Sequence, residues 1–455
     1  MQLQMTGKTK EFLQIAIPAV LESLVAVVIT TIDTKMISVL GKDAISAVSF
    51  TTQPKLIFFA IFYALGTTVT IFVAQANGKK DKKEGNYYFH TILTMTIVLS
   101  LILGVLLSFL AKPIMMLCNR QAESLDLSVS FFRIIMGFMI FQAVSIVLNA
   151  ALRGIGKTKV TLVSNIVMGL TDILFNYLLI EGHLGFPRLE IAGDAIATVL
   201  GTVAACAISI IAILKNSDFL SFRGMLQERI RSNREAWKAI GSKAGNVIFE
   251  NLAMRIGFLL SSVIVSMLSS DETAVYAVAM ILLNYSFAFG DGIQGAVVAL
   301  TGRSFGAENY EDFRQYARIA EVLGLICAGG LCVIYLTTAA PYYGMYFSDG
   351  ASIADGVKSS FIVSVLTVVQ ISRIIMIGIM RGMGEVKDPR RIATLCVMIV
   401  NPVSSYLLTF IAGFRVWGVW GASVITQALW LVLSIFFCGR HKKRIIEKGV
   451  LSHAD

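Results

Sequence analysis

The stretch ALRGIGKTK, residues 151–159, recurs in altered form as IMRGMGEVK at residues 379–387. The two stretches lie 228 residues apart, because 379 − 151 = 228. The same offset relates further pairs: Glu22 and Glu250, Gln142 and Gln370, Gly193 and Gly421, and Thr198 and Thr426. One offset that recurs over this length indicates an internal duplication, and each copy is far longer than a solenoid repeat. The chain therefore consists of two related halves.

The composition is that of a polytopic membrane protein. Only 15% of the 455 residues are charged and 56% are hydrophobic, whereas soluble proteins carry about 25% charged residues. Apolar stretches of roughly 20 residues, long enough to cross a bilayer, recur along the chain. They predict an all-α membrane protein with twelve transmembrane helices, six in each half. The predicted spans are residues 11–38, 46–75, 87–111, 128–152, 159–181, 190–214, 243–268, 276–301, 314–337, 356–381, 391–413 and 417–438.

An even number of spans in each half has a topological consequence. The second half must start on the same side of the membrane as the first, so the repeats are parallel and related by an axis along the membrane normal. We therefore expect two six-helix lobes around a central cleft. The N-lobe would be residues 1–214, the cytoplasmic linker residues 215–242, and the C-lobe with its basic tail residues 243–455.

The formal net charge of +10 is concentrated on one side of the predicted topology. Lys and Arg cluster in the loops after spans 2, 4, 6, 8 and 10 and in the C-terminal tail, and the alternate loops hold few of them. By the positive-inside rule, both termini are cytoplasmic. The positive charge thus reflects topology and contact with membrane lipids rather than nucleic acid. We expect a multi-pass protein of the plasma membrane, the inner membrane in a bacterium.

Duplicated halves in a membrane protein are typical of a transporter with its site between them, and no enzymatic motif competes with that interpretation. The sequence contains no HExxH, GxSxG or Walker motif, and the six cysteines show no CxxC spacing. We therefore expect no enzyme activity, no cofactor and no metal centre apart from a possible Na⁺ at Asp33 and Asp172. Since no nucleotide-binding domain is present, an ion gradient would have to drive transport.

Ionisable residues inside the spans mark the candidate sites, because such residues are costly in a bilayer. Asp33 lies in span 1, and Asp172 and Asn176 lie four residues apart on one face of span 5. Asp33 and Asp172 have no Lys or Arg near them within their own spans. A lone carboxylate in a medium of low dielectric can bind a proton or a small cation.

The second half contains a different polar cluster. Its members are Glu250, Arg255, Asp291, Gln370 and Arg373. Glu250 is expected either to bind a cation or to form a structural ion pair with Arg255 or Arg373. We predict the pair with Arg373. Glu22 in span 1 and Arg133 in span 4 are equally well explained as residues near an interface, where long side chains snorkel to water.

Several features in their order and spacing resemble the multidrug and toxic compound extrusion (MATE) family. They are an Asp about fifteen residues after Pro18, the loops QANGKKD and RSFGAEN after spans 2 and 8, the RGxGxxK loops, and the stretch FNYLLIEGHLGFPRLEIAGDAIAT at residues 175–198. The resemblance covers essentially the whole chain. It implies a cation-coupled antiporter that exports organic, often cationic, compounds by alternating access, here as a monomer.

The resemblance also implies roles for single residues. Asp33 matches the family's span 1 aspartate, a proton or sodium site, while Asp172 and Asn176 look exchanged relative to the family's usual Asn and Asp. Thr198 resembles a threonine of the same site. Glu250 matches the C-lobe glutamate of NorM-type members, but Gln370 stands where those members carry an acid. A DinF-like arrangement, coupled through the N-lobe, therefore fits better.

Two functions of different class remain open. The first is an antiporter that exchanges a small organic substrate for H⁺ or Na⁺. The second is a flippase for a lipid-linked saccharide, whose cavity is expected to be strongly cationic. The excess of acids over bases inside the spans favours a cationic substrate. A channel is less compatible with two repeats that carry buried lone acids.

Overall fold

The computed structural model describes residues 7–118, 122–216, 219–222 and 234–452. These residues are almost entirely helical, and no β-strand occurs among them. Long apolar helices satisfy their own backbone hydrogen bonds, which is the requirement for an element that crosses lipid. The prediction of an all-α membrane protein is confirmed. Residues 217–218 and 223–233 of the predicted linker lie outside the described ranges.

The spans of the first half follow one another with short connections. Their helices are Gly7–Ile37, Lys42–Gly78, Lys82–Phe109, the pair Ala122–Gly137 and Met139–Gly154, Thr158–Leu179, and Glu190–Asn216. The spans of the second half are Arg234–Ser266, Ser270–Gly306, Tyr310–Thr337, Gly350–Gly382, the broken helix Lys387–Ile411, and Val416–Ser452. We number these spans 1 to 12 in chain order.

Span 4 is bent. Eleven helices in the described part are each long and apolar enough to cross a membrane, and Ser124–Gly137 with Met139–Gly154, which meet at 50°, make a twelfth span if counted together. Gly137 stands at the bend, and a Cβ atom there would lie 3.0 Å from Ser108 Oγ of span 3. Glycine is a common cause of sharp helix kinks. Here it also lets spans 3 and 4 approach closely.

The chain folds into two compact units, Leu21–Ile248 and Phe249–Asp455 with Met1–Val20. Each has its own apolar core, which includes Phe62 and Phe132 in the first unit and Trp420 and Trp430 in the second. Because each half brings a complete set of six spans, each can bury its own apolar faces.

Polar contacts bind the N-terminal turns of span 1 into the second unit. Glu11 accepts a hydrogen bond from Arg303 Nη2 at 2.6 Å and another from the Tyr316 hydroxyl. Lys8 forms an ion pair with Asp312. The first helix therefore contributes residues to both units.

Span 11 contains two π-helical segments, Thr394–Val400 and Leu407–Ile411, on either side of Asn401–Tyr406. Pro402 lies between them and lacks a backbone N–H donor, so a regular helical hydrogen-bond ladder cannot run through this position. A π turn also inserts an extra residue into a helix and shifts the register of the residues after it. The sequence analysis predicted span 11 at residues 391–413 and did not predict these segments.

Candidate functional site

Asp33 and Asn176 join spans 1 and 5 inside the first unit. Asn176 Nδ2 donates a hydrogen bond to Asp33 Oδ1 at 2.7 Å. The Asn176 side chain is completely buried, while Asp33 is half-buried. The contact places the span 1 carboxylate against the face of span 5 that carries both predicted polar residues.

Asp172 lies one turn before Asn176 and completes the group that the sequence singled out. It is buried, it interacts electrostatically with Asp33, and it lies within hydrogen-bonding range of Thr198 of span 6. A Cβ atom on Gly201 would lie only 2.7 Å from the Met168 carbonyl oxygen, so glycine is needed for spans 5 and 6 to pack this closely. The structure thus brings Asp33, Asp172, Asn176 and Thr198 together in one place.

Asp194 is a member of this site that the sequence analysis missed. It is almost completely buried at 1% exposure, and its carboxylate lies within hydrogen-bonding range of the Asp33 carboxylate. Neither group can donate a hydrogen bond when ionised, so both oxygens of Asp194 lack a donor. A proton shared between the two carboxylates would join them. The signal was present in the quoted stretch GDAIAT, where Asp194 stands inside a predicted span.

Lys55 is the second residue that the sequence analysis missed. It follows Pro54 in the interior of span 2 and interacts electrostatically with Asp33, Asp172 and Asp194. It forms no direct ion pair with any carboxylate of the described residues. The expectation that Asp33 and Asp172 are remote from a cation therefore holds within their own spans but not in the folded unit. An intramembrane lysine was itself a sufficient signal.

Four buried oxygen atoms of this site have no hydrogen-bond donor. They are Asp172 Oδ1, Asn176 Oδ1 and both carboxylate oxygens of Asp194. Buried acceptors normally have a partner, and those without one call for an explanation such as a bound ion or water. Carboxylate and amide oxygens are ligands for hard cations, and carboxylates also bind protons. We call Asp33, Asp172, Asn176, Asp194 and Thr198 the acidic site.

The predicted ion pair between Glu250 and Arg373 is wrong. Glu250 instead accepts from Arg381 Nη2 at 3.0 Å; the Glu250 side chain is buried and that of Arg381 is partly buried. The duplication explains the choice, because Glu22 pairs with Arg153 at 2.7 Å in the first unit. The sequence separation is the same in both pairs, since 153 − 22 = 131 and 381 − 250 = 131. The ion pair is an inherited feature of the repeat.

Arg373 has other partners. Its Nε donates to Gln427 Oε1 at 2.5 Å, and its guanidinium lies 3.8 Å from the centre of the Trp430 ring, a cation–π geometry. Asp291, which is exposed, interacts electrostatically with Arg373 and Arg381. Arg373 and Arg381 of the second unit thus both have side-chain partners.

Gln370 and Arg255 complete the predicted C-lobe polar cluster. Gln370 is buried and its Nε2 donates to the Leu283 carbonyl at 3.4 Å. Arg255 is half-buried, five residues after Glu250 in span 7. Gln370 therefore bonds the backbone of span 8 rather than the Glu250 carboxylate.

The repeat counterpart of the acidic site is neutral. Ser261 occupies the position of Asp33 and Thr426 that of Thr198, at the offset of 228. Asn401 takes the place of Asp172 at an offset of 229, one residue more because of the π turn before it. Asn401 Nδ2 donates to Ser261 Oγ at 2.9 Å, and Thr426 Oγ1 donates to Asn401 Oδ1 at 3.4 Å. The two units therefore share the geometry, and the first unit alone carries the carboxylates.

A second group of potential metal ligands lies elsewhere, in the second unit. Glu385, Asp388 and His441 have ligand atoms within 4.8 Å of one another. Asp388 already bonds His441 Nε2 at 2.8 Å and Arg391 Nη1 at 3.1 Å. Because these contacts satisfy the carboxylate, we assign no metal to this group.

Comparison with known families identifies the duplication independently. The MatE family model matches the chain twice, at residues 18–178 and 247–407. The two matches are displaced by 229 residues, since 247 − 18 = 229, and together they cover most of the chain. The internal repeat is thus a repeat of one family unit.

Relatives and solved structures agree with this match. The chain is 22% identical to the "Uncharacterized transporter YisQ" of Bacillus subtilis, over 97% of this chain and 96% of the relative. It is also 22% identical to the "Probable multidrug resistance protein NorM" of Thermotoga maritima, over 96% and 94% of the two chains.

Among solved structures, one described as the outward-facing conformation of a multidrug resistance MATE family transporter matches with a TM-score of 0.88 at 16% identity, over 97% of both chains. A MOP superfamily transporter from Pyrococcus furiosus, described as having a binding pocket of reverse polarity, matches with the same TM-score of 0.88, at 16% identity and over 98% of both chains. At this identity the match concerns the fold. The chain belongs to the MatE family, the multidrug and toxic compound extrusion transporters, and is a multi-pass membrane transporter rather than an enzyme.

Proposed function

We propose that this protein is a secondary active antiporter that exports organic, cationic or amphiphilic compounds in exchange for H⁺ or Na⁺. It works by alternating access, as a monomer in the plasma membrane, with both termini cytoplasmic. The N-lobe at residues 1–214 carries the coupling site, the C-lobe at residues 243–455 is its partner, and residues 215–242 link them. The names of its relatives, which refer to multidrug resistance, support the substrate class.

The observation that carries this proposal is the acidic site. Three carboxylates, Asp33, Asp172 and Asp194, converge in one place among buried oxygens that lack donors. Keeping ionised carboxylates in a bilayer is costly, so such residues are retained where they bind protons or ions. The driving cation binds here, and its arrival and departure change the net charge of the unit.

The neutral counterpart in the second unit indicates which of the two units binds the driving cation. Ser261, Asn401 and Thr426 satisfy one another by hydrogen bonds and carry no charge. Glu250 is held by Arg381. Coupling therefore passes through the N-lobe, in a DinF-like rather than a NorM-type arrangement.

The alternative of a lipid-linked saccharide flippase has less support. A pyrophosphate-bearing lipid requires free cationic groups, and the intramembrane arginines Arg373 and Arg381 are engaged by Gln427, Trp430 and Glu250. An acidic site in the other unit would repel a pyrophosphate.

The test is efflux of ethidium, a fluorescent organic cation, from proteoliposomes that hold the purified protein. A proton gradient and a sodium gradient are imposed separately. We expect Asp33→Asn to reduce gradient-driven efflux at least about tenfold, because removal of a group that acts in the coupled step costs more than about 1.4 kcal/mol. Asp43→Asn, in the first turn of span 2 and exposed, is the matched control and should transport normally. Full activity of Asp33→Asn would overturn the proposal.

A further inference from the structure

We propose that Lys55 is the resident counter-cation of the acidic site and that it lowers the affinity of this site for Na⁺. The inference rests on the proposed function and determines which cation the site accepts. The ammonium group takes the electrostatic place that a metal cation would otherwise fill. It leaves the proton, which forms a covalent bond to a carboxylate oxygen, as the cation that the site exchanges.

The charges around the site support this role. Among the residues that the structure describes, the ionisable groups that act on its carboxylates are Asp33 of span 1, Lys55 of span 2, Asp172 of span 5 and Asp194 of span 6. With all four ionised, the net charge is −2, since −3 + 1 = −2. One proton shared by Asp33 and Asp194 brings it to −1. Without Lys55 the same protonation state would carry −2 and attract a metal cation more strongly.

The position of Lys55 argues against a purely structural role. A structural lysine in a span forms a direct ion pair or snorkels to the interface from a position near a span end. Lys55 stands fourteen residues into Lys42–Gly78, since 55 − 42 + 1 = 14, and forms no direct ion pair with a described carboxylate. Its charge is therefore shared among three carboxylates. That arrangement offsets one negative charge of the site as a whole and leaves its oxygen atoms open.

The duplication provides an internal comparison. The repeat counterpart of Lys55 is Leu283, since 283 − 55 = 228. In the second unit the counterpart of the acidic site is the neutral group of Ser261, Asn401 and Thr426. The lysine thus occurs in the unit that has the carboxylates and is absent from the unit whose counterpart site has none.

The test is equilibrium binding of radioactive Na⁺ to the purified full-length protein in detergent. We compare the wild type with Lys55→Gln, with Lys55→Arg, which keeps the charge, and with the double variant Lys55→Gln/Asp172→Asn. Lys79→Gln is the matched control, because Lys79 directly follows the last residue of the same helix and is exposed in an ion pair with Glu84. We expect Lys55→Gln to bind Na⁺ at least about tenfold more tightly than the wild type, because a positive charge that acts on the same carboxylates has been removed.

The remaining variants complete the expected pattern. Lys55→Arg and Lys79→Gln should bind Na⁺ as weakly as the wild type, and the double variant should lose the gain. The proposal is overturned if the affinity for Na⁺ is the same in Lys55→Gln as in the wild type. It is also overturned if the wild type binds Na⁺ saturably with the affinity expected of Lys55→Gln. If Lys55→Gln does not fold, Lys55→Met is used instead, because methionine has an unbranched side chain of similar length and no charge. The wild-type measurement alone can also overturn the proposal, because tight saturable Na⁺ binding with Lys55 in place would contradict it. Since binding is measured without transport, a failure here is distinct from a failure of Asp33→Asn to stop efflux.

Discussion

At the scale of single residues, two inherited ion pairs are satisfied to different degrees. Glu22 is saturated, because Arg153, Thr161 and Asn165 all donate to its carboxylate at 2.5–2.7 Å. Glu250 has the corresponding arginine but leaves its Oε2 without a donor, and Arg381 leaves its Nε without an acceptor. A buried pair with spare polar atoms is a sensitive element, because loss of either partner exposes an uncompensated charge to a low dielectric.

We predict that the Glu250–Arg381 pair is energetically coupled. Glu250→Gln and Arg381→Gln should each lower the free energy of unfolding by about 3–5 kcal/mol, the usual cost of breaking a buried pair. The double variant should recover part of that loss, which would appear as a nonzero interaction energy in a double-mutant cycle. The measurement is thermal unfolding of the purified protein in detergent.

The matched control is the cycle between Glu250 and Arg373. Arg373 bonds to Gln427, lies over the Trp430 ring and acts on Glu250 electrostatically without a direct ion pair, so the interaction energy of this cycle should be smaller than that of the Glu250–Arg381 cycle. Strong coupling to Arg373 together with additivity at Arg381 would show that the pairing described above is incorrect.

The sequence predicted the acidic side chains better than their partners. Asp33, Asp172 and Asn176 could be identified because polar groups inside apolar spans stand out, and a helix places residues 172 and 176 on one face. Thr198 was indicated only by the resemblance to the MATE family. Lys55 and Asp194 carried the same signal and were overlooked. The choice of Arg381 over Arg373 depends on which helix face meets span 7, which spacing within one helix does not reveal. The duplication indicated Arg381 as the partner, because the repeat offset relates Glu22 to Glu250 and Arg153 to Arg381, so the two Glu–Arg pairs have the same sequence separation.

At the scale of helices, both units contain the same close helix crossing, but the glycine that permits it lies on a different helix of the pair in each unit. In the first unit Gly169 of span 5 faces Ile29 of span 1, and in the second Gly257 of span 7 faces Val397 of span 11. These are repeat counterparts, since 257 − 29 = 228 and 397 − 169 = 228. The small residue has changed helix while the crossing remained closely packed. Small residues at such crossings let transmembrane helices approach.

We predict that Gly257→Ala destabilises the protein more than Gly169→Ala. A Cβ atom on Gly257 would lie 2.6 Å from the Val397 carbonyl carbon, so the backbone of span 11 would have to move. Overpacking of this kind costs about 1–3 kcal/mol. A Cβ on Gly169 meets the end of the flexible Ile29 side chain, which can change rotamer. Equal unfolding temperatures for the two variants in detergent would contradict this account.

The bends of spans 4 and 11 show where prediction from hydropathy stops. The prediction gave each a continuous span, and each does contain enough apolar residues. The kink at Gly137 and the π turns beside Pro402 arise from packing and from hydrogen-bond geometry. Hydropathy responds to the length of an apolar stretch and not to its regularity, so neither feature was accessible from composition alone.

At the scale of the whole molecule, a duplicated chain carries an asymmetric charge pattern. Both units have six spans, an inherited ion pair and the same polar crossing between the first, fifth and sixth helices of the repeat. The carboxylates and Lys55 occur in one unit, and neutral hydrogen-bonding groups occur in the other. The duplication was the part of the fold most readily predicted, because a constant offset survives divergence that erases most residue identities.

The predicted orientation is testable by cysteine labelling in intact cells, in a background that lacks the six native cysteines. We expect an impermeant reagent to label a cysteine at Lys358, which is exposed at the start of span 10, and to leave one at Lys82 or Lys443 unlabelled. The physical reason is the concentration of Lys and Arg on alternate loops. Labelling at position 82 without permeabilisation would reverse the orientation.

The most direct test of the account compares repeat counterparts in one assay. Asp33→Asn and Ser261→Ala change equivalent positions of the two units, and gradient-driven efflux of ethidium from proteoliposomes is measured for both. If the driving cation binds at the acidic site of the first unit, efflux falls at least about tenfold in Asp33→Asn. Ser261→Ala, which removes one hydroxyl from a neutral group, should retain most of the wild-type rate. Equal loss in both variants, or full activity in Asp33→Asn, would contradict coupling through the first unit.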